Sequence, residues 1–138
     1  MLKDLFRAHW PERIQRLVAS PSRLLEHRDG ADWVIAREGE AGLVFNGPGV
    51  PLRAGSYRCA FKLKADTKAN ENYAECDIVA DINDPETLAT CEVAADQTDA
   101  TLEFTLEKLR FGIQFRCGSL GRAGFSACRR IALQEELW

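Results

Sequence analysis

The stretch "PLRAGSYRCAFKLKAD", Pro51 to Asp66, decides the fold class. Tyr57, Cys59, Phe61 and Leu63 share one parity, and Arg58, Ala60, Lys62 and Lys64 share the other. A period of two is the mark of a strand with one dry and one wet face. Ala54-Gly55 supplies the turn that sets its register. The wet face carries cations, so the functional question is whether that face meets only solvent or also a ligand.

The same pattern recurs on both sides of this strand. "DWVIA" and "LVF" precede it, separated by "REGEAG" and followed by "NGPG", where Asn46-Gly47 suits the positive φ of a tight turn. After it, "YAECDIVAD" sets Ala74, Cys76, Ile78 and Ala80 against Tyr73, Glu75, Asp77, Val79 and Asp81. "TLATCEVA", "TLEFTLE" and "RFGIQFRC" follow, and "GSLGRAG" reads as a flexible hairpin loop. "FSACRRIALQ" closes the series, with Arg129 on the apolar parity of Phe125, Ala127, Ile131 and Leu133, which calls for a bulge or a buried cation. Short strands at this spacing without intervening helices indicate an antiparallel β-sandwich or barrel over residues 31–138.

Residues 1–25 read differently. Leu2, Leu5, Phe6, Trp10, Ile14, Leu17 and Val18 recur at three- and four-residue spacings, with Pro11 suited to a first helical turn. The expectation is a short N-terminal helical segment packed on the domain, with docking to a protein partner as its alternative use.

Bulk properties remove several function classes. At 138 residues the chain fits one domain, and its 46% hydrophobic and 28% charged residues are those of a globular protein. A net charge of -3 with scattered cations argues against nucleic-acid binding, which needs a concentrated basic surface. No apolar run reaches membrane-spanning length, and "MLKDLFRAHWPERIQRL" carries charges where a secretory signal would be apolar. The expected location is therefore cytoplasmic, or surface-exposed if the chain is part of a released particle. Five cysteines without a C-x-x-C pair suggest neither a disulfide framework nor a zinc site, and Cys59 and Cys117 sit on core parities.

Catalytic signals are sparse. His9 and His27 flank no nucleophile signature, and the glycines of "GSLGRAG" lack the strand-to-helix setting of a phosphate loop. Glu75 and Asp77 project from one strand face and have the residue types of a glycosidase pair, with a solvated face as the simpler reading. Asp81, Asn83, Asp84 and Glu86 offer oxygens for calcium, although a proline turn explains them more simply. No motif calls for a cofactor. The most suggestive feature is polar: if neighbouring strands pair, Arg58 and Lys62, Glu75 and Asp77, and Gln114 and Arg116 share one outer sheet. Planar polar groups of this kind suit sugar hydroxyls, and Trp33 and Tyr73 are the aromatic platforms available.

The run from Asn46 to Leu133 resembles a bacterial carbohydrate-binding-module-like β-sandwich, a jelly-roll domain appended to glycosyltransferases and other polysaccharide-handling proteins. The resemblance is carried by "GPGVPLRAGSYRCAFKLKAD", "AECDIVADINDPETLAT" and "LEFTLEKLRFGIQFRCGSLGRAGF". Tyr57, Asp77, Phe115 and Arg116 fall on its recurring positions, and it implies that Asp77 and Arg116 face a ligand. Cys117 stands where the pattern has Val, and the lead-in has no counterpart in it. The resemblance implies a carbohydrate-binding-like module without catalytic activity; together with the polar sheet face, the leading expectation is a non-catalytic domain that binds a carbohydrate, a bacterial surface polysaccharide or its precursor, through Trp33, Arg58, Asp77, Gln114 and Arg116. The alternatives are a decoration, spike or adaptor subunit of a phage-like particle or other assembly and, last, a hydrolase using Glu75 or Asp77.

Overall fold

The computed structural model describes residues 6–8, 17–66, 71–81 and 83–136, with backbone alone for the first of these segments. The strands are β1 (Phe6–Ala8), β2 (Val18–Ala19), β3 (Leu25–Arg28), β4 (Ala31–Ala36), β5 (Gly42–Asn46), β6 (Pro48–Leu52) and β7 (Gly55–Ala65). They continue with β8 (Ala74–Ala80), β9 (Glu86–Val93), β10 (Asp99–Leu106), β11 (Arg110–Ser119), β12 (Phe125–Cys128) and β13 (Ala132–Glu136). All pairings are antiparallel and build two sheets, so the expected β-sandwich is what the chain forms.

Each sheet is organised around one long strand. In the first, β7 pairs with β10 along one edge and with β13 and then β12 along the other, while β1 extends β13, and β4 and β3 extend β12. In the second, β11 pairs with β8 on one side and with β6 and then β5 on the other, while β9 lies outside β8 and β2 outside β5. The alternation of β7 holds: Tyr57, Cys59, Phe61 and Leu63 are buried, and Lys62 and Lys64 are exposed. Facing rings close the interior, with Phe45 against Phe61 at 6.2 Å and Tyr73 against Phe125 at 5.1 Å between centroids. Each buried ring of this size contributes roughly 1.5–3 kcal/mol.

Several expectations change. The closing run "FSACRRIALQ" is not one bulged strand but two, because the chain breaks at residues 129–131 and both pieces line up along β7. Arg129 lies in that break, where its backbone N–H and guanidinium both bond Asp32. "GSLGRAG" is not wholly a loop, since β11 runs on to Ser119. Gly47 takes a positive φ, whereas Asn46 remains in β5. Within the lead-in, Phe6–Ala8 and Val18–Ala19 are strands, because pairing to β13 and β5 overrides a weak helical period; the remainder of residues 1–16 lies outside the described residues. The hairpin of β3 and β4 begins the sandwich before residue 31, and its turn, Asp29-Gly30, places both residues at positive φ.

Candidate functional site

The wet residues of β11 and β8 meet on the outer face of the second sheet. Arg116 stands opposite Asp77, which in turn stands opposite Thr90 of β9. The Arg116 guanidinium donates to both carboxylate oxygens, Nε to Oδ1 at 2.8 Å and Nη2 to Oδ2 at 2.6 Å. Asp77 holds the Arg116 charge more firmly than an ordinary guanidinium, the hydrogen bonds outweighing partial desolvation. With side-chain exposures of 38% and 13%, the pair is neither solvated away nor sealed, and its outer edge remains open to a ligand. One step along β11, Gln114 accepts a hydrogen bond from Asn46 at 3.4 Å.

In the other direction along β11 comes Gly118, opposite Glu75 on one side and Leu43 on the other. Having no side chain, it leaves a recess of about 250 Å³ bordered by Gly42, Leu43, Glu75, Asp77 and Arg116. The backbone of Gly118 is not left-handed, and a Cβ there would meet nothing nearer than the Gly42 carbonyl at 3.7 Å. The gap is thus a feature of side-chain size and not of backbone strain.

The five residues read as one site divide between two faces. Asp77, Gln114 and Arg116 lie together on the second sheet. Arg58 belongs to the first sheet, where it stands opposite Gln134 and Glu103 and donates to the Gln134 side chain at 3.2 and 3.1 Å. Trp33 is also on the first sheet, opposite Cys128, with the Arg28 guanidinium 4.4 Å from its ring centroid. The shared mixed-charge surface therefore does not form, because β7 and β8 follow one another in sequence but enter different sheets. Tyr73 is no platform either: it is fully buried, and its hydroxyl donates to the Gln97 carbonyl at 2.7 Å. Val79 keeps the wet parity, opposite Gln114 of β11, yet is almost fully covered without joining the core cluster.

The other candidates resolve similarly. Both oxygens of Asp77 are engaged by Arg116, so the Glu75 and Asp77 pair is not a free acid and base. In the acidic turn, Asp81 and Glu86 each accept from Arg110 Nη2 at 2.8 Å, and a guanidinium takes the place expected of a cation. The described thiols are unpaired, and burial pushes Cys59 upward, away from reactivity. Gly118 and Asn46, which the structure sets beside the fork, were not singled out in the sequence as parts of this face. Continuing the parity of Gln114 and Arg116 by one more step would have found Gly118.

No family model matches the chain, and no curated protein matches it. Solved structures do. The chain aligns over 94% of its length with the CBM22-1–GH10 modules of Clostridium thermocellum endo-1,4-beta-D-xylanase 10B, complexed with xylohexaose, at 15% identity and a TM-score of 0.62. It spans only 28% of that protein's chain. The CBM22-1 xylan-binding domain of Paenibacillus barcinonensis Xyn10C aligns over 88% of this chain and 86% of its own, at 10% identity and a TM-score of 0.58. A CBM4 module aligns over 81% of this chain and 88% of its own, at 17% identity and a TM-score of 0.56.

The chain shares the β-sandwich fold of these three solved structures. On this fold, the face of β11 and β8 presents a held guanidinium, a carboxylate and an amide side by side. Such an array can donate to and accept from vicinal hydroxyls without reorganising.

Proposed function

We propose that this domain binds carbohydrate without catalysing its conversion, through the outer face of the second sheet, and that its ligand is a bacterial surface polysaccharide or its precursor. The observation that carries the reading is the Arg116–Asp77 fork beside the Gly118 recess: fixed polar edges next to an opening in an otherwise filled sheet face. Support comes also from the fold, since the neighbours named above are carbohydrate-binding modules, one of them solved with xylohexaose. The engagement of Asp77 by Arg116 favours binding over hydrolysis, because a general base needs a free carboxylate. Affinity is expected to be weak, since a shallow polar face desolvates few groups.

The test is a panel of bacterial and plant glycans, read by calorimetry, against the wild-type chain and Gly118→Leu. The substitution puts an apolar side chain into the recess while keeping both residues of the fork. Saturable binding by the wild-type chain that is lost in Gly118→Leu supports the reading. Absence of binding by neutral glycans across the panel, or neutral-glycan binding indifferent to Gly118→Leu, removes it.

A further inference from the structure

The opposite face of the sandwich holds a second opening, larger than the first and of different chemistry. A groove of about 400 Å³ crosses the outer surface of the first sheet, lined by residues of β4, β7, β12 and β13. This lies within the roughly 300–1,000 Å³ of small-molecule sites. Its origin is local. Ala60 of β7 and Ala132 of β13 stand directly opposite one another, and neither has a side chain long enough to cover the sheet. The break at residues 129–131 separates β12 from β13 just beside them, so no strand continues over the gap.

One wall is aromatic and fixed. Trp33 lines the groove, and its ring is held by the Arg28 guanidinium 4.4 Å from its centroid. Arg28 is itself anchored by Glu26 and by the Ser126 hydroxyl. The rim is cationic. Lys62 and Arg130 both line the groove, and neither forms an ion pair among the described residues; Arg130 donates to the Gly30 carbonyl at 3.2 Å. Asp29 is the carboxylate of the lining, and Asp99 stands opposite Lys62 on β10, outside it. The lining thus sets two cations and one carboxylate beside an apolar floor, and neither cation is within ion-pair distance of a described carboxylate.

The two faces thus differ in kind. On the second sheet Arg116 is neutralised by Asp77, whereas here Lys62 and Arg130 form no ion pair with a described residue. We infer that the Trp33 groove is a second binding site, selective for acidic saccharides: the sugar ring lies against Trp33 and the alanine floor, and a uronate carboxylate meets Lys62 and Arg130. A ring with a C–H face and a carboxylate edge satisfies both halves of this lining, which a neutral sugar or a simple inorganic anion does not. This site does not depend on the Gly118 recess, and either reading can fail alone.

The test uses tetragalacturonic acid and its fully methyl-esterified counterpart, which keeps the rings and removes the charge. Binding to the full chain is followed by calorimetry and by the indole N–H resonance of Trp33, assigned with Trp33→Phe. The acid is expected to bind and to shift that resonance, with affinity falling as salt is added. The ester should bind about tenfold more weakly or worse, as should Lys62→Ala and Arg130→Ala toward the acid. Lys62→Gln provides a charge-free variant closer in shape, and Arg116→Ala should leave acid binding intact. Equal binding of acid and ester, loss in Arg116→Ala but not in the Lys62 variants, or no binding of the acid at all would each overturn the inference.

Discussion

Arg53 and Arg116 each place a two-pronged grip on a carboxylate of a neighbouring segment, and the surroundings assign them different work. Arg53 donates to Glu135 at 2.8 and 2.6 Å, and Arg116 donates to Asp77 at 2.8 and 2.6 Å. The geometry is the same, but the direction each carboxylate faces is not. Glu135 is 6% exposed and lies on the core parity of β13, with the Tyr57 hydroxyl 3.5 Å from its Oε2. Asp77 sits on the outward parity of β8 beside the recess. A fork whose acid points inward ties the rim of a core together, whereas a fork facing out presents a preorganised edge. Which side of the strand a fork occupies therefore decides what it can touch.

The largest expected effect falls on the inward fork. Arg53→Ala removes two charge-assisted hydrogen bonds from a buried carboxylate, and the melting temperature should drop on the order of 10 °C while glycan affinity is unchanged. The outward fork should show the reverse. Arg116→Ala is expected to weaken glycan binding about tenfold or more and to lower the melting temperature by a few degrees only. If calorimetry and thermal melts show the two variants exchanging these phenotypes, the contrast between the forks is broken.

A smaller effect sharpens the inward side. Burial pushes the phenols of Tyr57 and Tyr73 up to about 12, Glu135 adding to the shift at Tyr57 and nearby thiols at Tyr73. Because the folded state favours the neutral phenol, this stability is fully present below the ordinary phenol pKa and is lost as pH rises through about 12. The chain has two tyrosines, so tyrosinate absorbance reads both. Ionisation should be delayed into the range where circular dichroism reports unfolding; reversible ionisation near an ordinary phenol value in the folded chain would place the rings in water.

The smallest effect concerns Asp32, which accepts from Arg129 at 2.7 Å and contacts His27 at 3.0 Å. The His27 hydrogen bond, followed by that from Arg129, holds its carboxyl below the ordinary carboxylate value. Its contribution is present above that value and disappears as pH falls through the lowered one. An NMR titration of the Asp32 carboxyl carbon should give a depressed midpoint. An ordinary midpoint would mean that this exposed contact, unlike the two forks, does not persist in solution.

How much of this could be read from the chain follows from the range of the interactions involved. The dry parity of β7 and the alternation of β10 are properties of consecutive residues, and both appear directly in the text. Arg116 and Asp77 were also legible as outward-facing groups on strands of alternating character. The separation of Arg58 and Trp33 from them was not, because sheet membership depends on pairings between distant segments, such as β12 with both β4 and β7. Nor was the covering of Val79, which keeps its outward parity opposite Gln114 and is nonetheless buried. The Asp29-Gly30 hairpin was open to reading, since that dipeptide favours the positive φ values both residues adopt.

The central claim is that the outward fork and its recess bind carbohydrate. The most direct test is backbone-amide shift mapping with a neutral oligosaccharide selected from the glycan panel, because a neutral ligand should pass over the cationic groove of the first sheet. Saturable shifts are predicted to cluster at Gly42, Glu75, Asp77, Arg116 and Gly118 and to vanish in Gly118→Leu. Shifts gathered around Trp33 and Lys62, or no saturable shift with any neutral glycan, would contradict the account.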